Sequence, residues 1–346
     1  MVLGLLFAAC GHRAEEKPAV PADDTEAAKA AAAAADQEAD SDPLPVGGTP
    51  VGDATLTVVS KGSEPVRGFL GPAGATFKGR VQGELSFESR ETVMSDGPTP
   101  DPEKATTTLT AFDFEIELLW VHGSADRTVM VQAKVVRMVP SPAMGKAQAA
   151  AARKWAKAAT RGATAYVFRA FPNGDATAPR VFSGELDSPG AANDALAATI
   201  LAPFARHLLA TPTDPVGAGA RWTVERKRLT EEAALTSERV EYTLGALGET
   251  DARLDVRGEE RGQKSMPGPQ GEEGELSLDV KRVWTGHAKV VPGEWLPVDA
   301  TFEWTRTSTG TGKTLPTVER RETAKFSYRR VGKITKQNTG GNDDAE

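Results

Sequence analysis

The chain has 346 residues, of which 39% are hydrophobic, and it carries 41 Lys and Arg against 48 Asp and Glu, a net charge of −7. This length and apolar content are sufficient for a sizeable hydrophobic core. The single cysteine excludes an intramolecular disulfide, and because no apolar run reaches about 18 residues we expect no membrane-spanning helix in the body of the chain.

An unbroken apolar run opens the chain and ends in two alanines and Cys10, with no Lys or Arg before it. A short apolar segment that ends in small residues is typical of a secretion signal, so we expect residues 1–10 to be a signal segment. The junction resembles the lipobox of bacterial lipoproteins, although Phe7 stands where that family usually has Leu. The resemblance implies that Cys10 is lipidated and becomes the mature N-terminus, and Gly11 implies sorting to the outer membrane. The alternative is an ordinary buried segment with Cys10 as a core thiol.

Residues 11–53 are rich in Ala, Pro, Asp and Glu and contain no aromatic residue. Such a composition cannot bury enough apolar surface to offset the entropy of ordering the chain. This segment holds 10 acidic and 3 basic residues, and 3 − 10 = −7 equals the net charge of the whole protein. We therefore predict a disordered acidic tether followed by an electrically balanced body at 54–335, with a disordered tail at 336–346.

The body shows apolar residues at every second position, as in Phe112–Trp120, where Asp113, Glu115 and Glu117 fall on the opposite side. This pattern predicts a half-buried strand with a wet outer face. Clean alternation favours antiparallel over parallel sheet. The same alternation appears at Val81/Leu85/Phe87, Val129/Val131/Val135, Tyr166/Phe168, Val240/Tyr242/Leu244, Leu254/Val256, Leu276/Leu278/Val280 and Phe302/Trp304.

Two mid-chain helices are predicted between the strands. Residues 143–161 are Ala-rich, with a basic face. Ser188 and Pro189 supply an N-cap and a first-turn proline for a helix that extends to about Ala210, within which Pro203 should cause a kink or a break. The sequence thus predicts an α+β fold: a large antiparallel, curved β-sheet with the two helices packed on one face. The sequence is compatible with one domain or with two related halves divided near position 212.

Residues with catalytic or metal-binding potential form no recognisable constellation. The four histidines are scattered and none forms a pair at metal-ligand spacing. Gly310–Thr314 resembles the end of a phosphate-binding loop, but Thr307 stands where the first glycine is needed, so a hairpin loop is favoured. Acid pairs such as Glu259 and Glu260 are interpreted as solvent-exposed. We expect no enzyme activity, no cofactor, no metal site and no nucleic-acid partner.

Two short phrases carry a second resemblance. Thr211–Val224 contains Val216, Gly219 and Trp222 at the spacing V-x-x-G-x-x-W, and Val291–Pro297 is a similar phrase. They resemble strand entries of uncharacterised β-rich bacterial envelope proteins. More loosely, an anchor followed by a large antiparallel sheet is similar to the half-barrel lipoproteins that carry lipid or lipoprotein acyl chains across the periplasm. That resemblance implies a curved sheet that binds something apolar.

The first functional hypothesis is a non-enzymatic lipoprotein, anchored by lipid to the periplasmic face of the outer membrane, that binds an apolar ligand on its sheet. The alternatives are that the large apolar side chains pack against the helices as a filled core, or that the protein is a structural or protein-interaction component of the cell envelope without a small-molecule ligand. The predicted ligand-binding side chains are Phe114, Ile116, Leu118, Trp120, Trp222, Phe302 and Trp304.

Overall fold

A computed structural model of the chain describes residues 49–69, 74–93, 106–123, 128–160, 165–176, 180–182, 200–229, 234–267, 275–312 and 317–337. The predicted signal segment with Cys10 and most of the predicted tether lie outside the described residues. The first strand begins at Thr49 and the last ends at Gln337. The folded body is therefore longer at both ends than the predicted range 54–335.

The described elements are strands for the most part. In chain order they are β1 (Thr49–Ser60), β2 (Ser63–Arg67), β3 (Thr76–Val93), β4 (Thr106–His122), β5 (Val129–Pro140), α1 (Lys146–Ala159), β6 (Ala165–Ala170), β7 (Arg180–Phe182), α2 (200–206), β8 (Val216–Ala218), β9 (Arg221–Leu229), β10 (Leu235–Leu247), β11 (Ala252–Pro267), β12 (Glu275–Val290), β13 (Asp299–Thr311), β14 (Val318–Arg330) and β15 (Thr335–Gln337).

One antiparallel sheet of 13 strands dominates the fold, in the order β1-β9-β10-β11-β12-β13-β14-β3-β4-β5-β6-β7, with β15 beside β3. Strands β2 and β8 form a separate pair. The last long strand, β14, lies against β3 near the start of the body, and β1 lies against β9. Strands from both sides of position 212 thus belong to the same sheet.

Alternation along each strand separates an inner face from an outer face. In β4, Phe112, Phe114, Ile116, Leu118 and Trp120 are buried, whereas the acidic residues between them are only half-buried. Because successive side chains point to opposite faces of a strand, this burial pattern follows directly from the sequence. The inner faces of the strands and the helices share one hydrophobic core.

Helix α1 packs against β5, and its small residues Ala149, Ala152 and Ala156 are buried in the core. It begins and ends within two or three residues of the predicted range 143–161. Helical backbone continues without a break through Pro203 in α2, and the helix ends at residue 206, not at the predicted Ala210. The predicted start at Ser188 lies outside the described residues.

The predicted antiparallel sheet with two helices is confirmed, while its curvature stays a prediction. Gly310 and Thr311, expected in a hairpin loop, instead form the end of β13. Among the described residues, no helix is both long enough and apolar enough to cross a membrane.

Candidate functional site

A cavity of about 430 Å³ lies at one end of the sheet. Its lining includes the end of β4, the start of β5 and the end of β6, together with residues of β9, β10, β11 and β12. The segment after α2 and the loop between β12 and β13 complete it. The lining residues are Gly68, Phe69, His122, Gly123, Val129, Ala170, Phe171, Pro172, Leu209, Thr211, Pro212, Thr213, Trp222, Leu244, Leu254, Val290, Glu294 and Trp295.

Large aromatic side chains give the cavity a fixed shape. The indole Nε1 of Trp222 donates a hydrogen bond to the carbonyl oxygen of Ala210 at 3.1 Å, and its ring stacks on Tyr242 with centroids 5.5 Å apart. Trp295 lies against Trp120, with ring centroids 5.7 Å apart. Since these rings are held by neighbours outside the cavity, the apolar walls are already formed without a ligand.

The polar groups at the cavity do not present an unpaired charge. His122 is buried, with its ring edge-on to Phe77 at 5.7 Å. Burial lowers the pKa of His122, so the imidazole is neutral at pH 7 and can offer one donor and one acceptor. The carboxylate of Glu294 accepts a hydrogen bond from Arg330 at 2.6 Å. The cavity therefore suits an apolar molecule with a few hydrogen-bonding groups.

The seven predicted ligand-binding side chains divide into two groups. Trp222 lines the cavity, and Trp120 lies behind Trp295. The other five are packed in the core away from the cavity lining: Phe114 stacks on Phe326 at 5.6 Å, Phe302 stacks on His207 at 4.5 Å, Trp304 contacts Phe87 at 5.6 Å, and Ile116 and Leu118 are fully buried.

Sequence reasoning missed most of the residues that line the cavity, since they lie in loops or at strand ends. One indication was present. The phrase Val291–Pro297, which resembles the strand entry that contains Trp222, places Trp295 in the loop between β12 and β13. The two tryptophans of the two similar phrases line the same cavity.

A second unusual feature is a row of charged side chains on the inner face, away from the cavity lining. The strand registers place Arg226, Glu238, Glu260 and Arg282 opposite one another on β9, β10, β11 and β12. All four side chains are buried. The row continues in register through β13 and β14, with Arg306 and Glu322.

Direct ion pairs connect the row to its surroundings. Glu238 accepts a hydrogen bond from Arg226 Nε at 2.7 Å, and Arg226 also contacts Asp175 at 2.8 Å. Glu238 and Glu260 are like charges opposite each other, and Arg206 of α2 contacts both carboxylates, with 3.4 Å to Glu238. A cation from the helix therefore bridges the acidic pair of the sheet.

The protonation of these groups follows from their neighbours. Burial alone would raise the pKa of Glu238, but Arg226, Arg228 and Arg206 outweigh burial and hold the pKa well below its ordinary value. Burial lowers the pKa of His207 far below its usual range, and nearby arginines lower it further. At neutral pH Glu238 is thus ionised and His207 is uncharged.

The interpretation of Glu259 and Glu260 as two exposed acids was half wrong. Glu260 is only 3% exposed and accepts a hydrogen bond from the Thr236 hydroxyl at 2.6 Å, whereas Glu259 pairs with Arg261 in an exposed contact. Neighbouring residues on a strand point to opposite faces, so one of the two had to face inward. Among the described residues, no group of three or more His, Cys, Asp and Glu side chains is placed to hold a metal ion.

No protein-family model matches this chain, and no curated protein matches it. Solved structures with some similarity include a deltaS2 mutant of the TodX monoaromatic hydrocarbon channel, at 8% identity over 76% of this chain and 91% of that chain, with a TM-score of 0.18. Another is the COG4313 outer membrane channel from Pseudomonas putida F1, at 10% identity over 75% of this chain and 96% of that chain, with a TM-score of 0.15. Similarities this weak carry no argument about this chain.

Proposed function

We propose that the protein is a non-enzymatic envelope lipoprotein that binds one small apolar ligand in the cavity at the end of its sheet. The observation that carries this proposal is the cavity itself, with its preformed aromatic walls. Its volume of about 430 Å³ falls in the range of small-molecule sites, about 300–1,000 Å³. At about 30 Å³ for a water-sized group, the volume corresponds to about 14 such groups, which suits a single acyl chain or a compact ring system.

Curvature of the sheet is part of the proposal, and contacts across the inner face support it. The ring of Phe204 in α2 lies 6.4 Å from Phe168 of β6 and 5.3 Å from Tyr328 of β14. Four strand spacings separate β6 from β14, about 19 Å along the sheet at about 4.8 Å each. A single ring that reaches both strands favours a sheet that bends around α2.

Attachment to the periplasmic face of the outer membrane rests on the sequence of the N-terminus. A lipid on Cys10 followed by the acidic segment at 11–48 would hold the body away from the membrane surface. Metabolic labelling with a clickable palmitate tests this directly. We expect label on the wild-type protein and none on Cys10→Ser, and label that persists on Cys10→Ser would refute lipidation at this residue.

The ligand proposal is tested with the full chain carrying Cys10→Ser, so that none of the proteins compared carries a lipid at residue 10. A fluorescent single-chain fatty acid is titrated against this protein and against a second form with Leu209→Trp. Leu209 lines the cavity and is only partly buried, so a larger side chain there fills the cavity with little strain on the sheet. Val59→Trp is the matched control, because Val59 is 58% exposed on β1 and is not among the lining residues.

We expect saturable binding that weakens at least tenfold with Leu209→Trp and does not change with Val59→Trp. Absence of saturable binding, together with native mass spectrometry that finds no co-purifying small molecule, would contradict the proposal. Equal binding by both tryptophan variants would place the ligand elsewhere.

The outer face of the sheet supports a second candidate, a protein-interaction component of the envelope. Strands β9 to β12 form an open groove of about 970 Å³ on that face, lined by Glu225, Arg239, Arg257 and other charged side chains. Alternating charges in a concave surface suit a partner of complementary pattern. Crosslinking in intact cells that recovers one defined partner, with no ligand in the cavity, would favour this candidate.

A further inference from the structure

Arg282 differs from the other buried arginines of the inner face. It lies on β12, and the residue is 7% exposed. The centre of its guanidinium is 4.8 Å from the ring of Trp304 and 5.5 Å from the ring of Trp284. Both distances are in the range of cation–π attraction, so the two indoles hold the guanidinium by its charge.

The hydrogen bonds of Arg282 include none to a described carboxylate, although Glu260 lies opposite it in the register on β11 and attracts its charge. One terminal nitrogen lies 3.2 Å from Nε2 of His207, and this imidazole is uncharged because burial, together with Arg282 and Arg206, lowers its pKa. Among the described residues, no carboxylate forms an ion pair with Arg282, and its buried Nε has no hydrogen-bond partner. A buried charged donor left in this way costs free energy.

The register adds a second cation beside it. Arg282 on β12 stands directly opposite Arg306 on β13, and like charges in directly opposite positions destabilise a sheet. Arg306 contacts Glu322 at 3.5 Å, which balances one of the two arginines. The acidic pair in the same row, Glu238 and Glu260, is bridged by the cation Arg206. By the same reasoning, we expect an anion to bridge the basic pair, at the edge of the Arg282 guanidinium.

We propose that Arg282 and Arg306 hold one of the larger, weakly hydrated halides, such as chloride, bromide or iodide, between them. The Nε–H of Arg282 supplies a charge-assisted hydrogen bond, and Arg306 supplies the second positive charge. The partly exposed Arg306 and Glu322 side chains, at 16% and 19%, give the anion a route from solvent. A larger ligand does not fit this position, because Trp284, Trp304 and His207 already occupy the space around the guanidinium.

Iodide quenching of tryptophan fluorescence tests the site in solution, because Trp284 and Trp304 flank it and are buried from collisions with solvent ions. The full chain with Cys10→Ser is titrated with iodide at constant ionic strength set by fluoride. The test variant is Arg282→Met, an unbranched apolar replacement. The matched control is Arg239→Met, since Arg239 is 56% exposed on the outer face of β10.

We expect a saturable component of quenching in the parent protein and in Arg239→Met, and only a linear component in Arg282→Met. The midpoint of thermal unfolding should rise in bromide relative to fluoride, with an approximately elevenfold rise in the folded-to-unfolded ratio at an anion concentration ten times the dissociation constant. Linear quenching of equal slope in all three proteins would overturn the proposal.

Crystals of the protein soaked in bromide give a direct measurement that does not depend on a variant folding. We expect anomalous density within hydrogen-bond distance of Arg282 Nε. Density for water alone at this nitrogen would refute the site. Bromide density without saturable quenching in solution would show an adventitious ion only and would also count against it.

Discussion

Replacement of Glu238 by glutamine tests whether the buried charged row stabilises the fold. Glu238 has a fully buried side chain and contacts three arginines, Arg226, Arg228 and Arg206. Glutamine keeps the shape and one acceptor oxygen but removes the negative charge that these guanidinium groups share. The arginines stay protonated and buried, so the variant leaves positive charge in the core without its main counter-charge.

The expected loss in the free energy of unfolding can be estimated from the burial of Glu238 and its arginine partners. Removing one partner of a buried ion pair typically costs about 3–5 kcal/mol, and three arginines around one carboxylate place Glu238→Gln in this range. At about 2 °C per kcal/mol for a domain of this size, the thermal midpoint should fall by about 6–10 °C. Glu241→Gln is the matched control, because Glu241 lies on the same strand, is 57% exposed and pairs with Arg239 on the outer face. Its effect should be within about 0.5 kcal/mol.

Urea denaturation followed by tryptophan fluorescence measures both variants at pH 7 and pH 4. The pKa of Glu238 is lower in the folded protein than its ordinary value of 4.5. Its ionisation therefore stabilises the fold fully above pH 4.5, and this contribution declines as the pH falls below 4.5 towards the folded-state pKa. The difference between wild type and Glu238→Gln should shrink at pH 4. Equal stability of the two glutamine variants at pH 7 would refute a stabilising role for the row.

Two further predictions concern packing and pH on the same inner face. Gly258→Ala should destabilise the protein by about 1–3 kcal/mol, because a Cβ at Gly258 would lie 1.9 Å from the ring of Trp284. Gly310→Ala is the control, since the nearest atom to a Cβ at Gly310 is 3.9 Å away. Chemical denaturation of the two variants measures the difference in stability. The pKa of His207 is lower in the folded protein than its ordinary value of 6.5, so wild type should lose stability as the pH falls below 6.5. His207→Phe keeps an aromatic ring in the stack and should reduce this loss, and unfolding midpoints at pH 7 and pH 5 that fall equally in both proteins would contradict the assignment.

The strands were predictable because each carries its own evidence of burial. Alternation in β4 fixed which side chains face the core, and the register with β3 and β5 then follows from matching apolar faces. The helix at 146–159 was predictable from its alanine content. The end of α2 at residue 206 was not, because Leu208 and Ala210 continue the apolar spacing of the helix and are buried, although the backbone there is no longer helical.

The cavity could not be predicted from alternation. Its lining comes from β4, β6, the segment after α2 and the loop between β12 and β13, which are far apart in the sequence. Large residues such as Phe114 and Phe302 met the sequence criterion for an apolar site, yet they are packed against neighbouring rings. Whether an inward-facing ring borders a cavity or another ring depends on which strands lie opposite each other, and the strand order is a property of the whole chain.

The charged row, in contrast, is visible in the sequence, but charged residues are usually expected to be exposed and the pattern is therefore easily overlooked. Each member continues the apolar phase of its strand at a spacing of two: Arg226 follows Val224, Glu238 precedes Val240, and Arg282 follows Val280. A single charge in phase with buried residues is common where a strand emerges into solvent. Several such charges on consecutive strands have another meaning, because antiparallel pairing places them side by side. Charges of opposite sign can then neutralise one another when they occupy matching positions of neighbouring strands. Opposite signs at matching positions of successive hairpins therefore predict a buried ionic row, and like signs at those positions predict that a further ion or side chain lies between them.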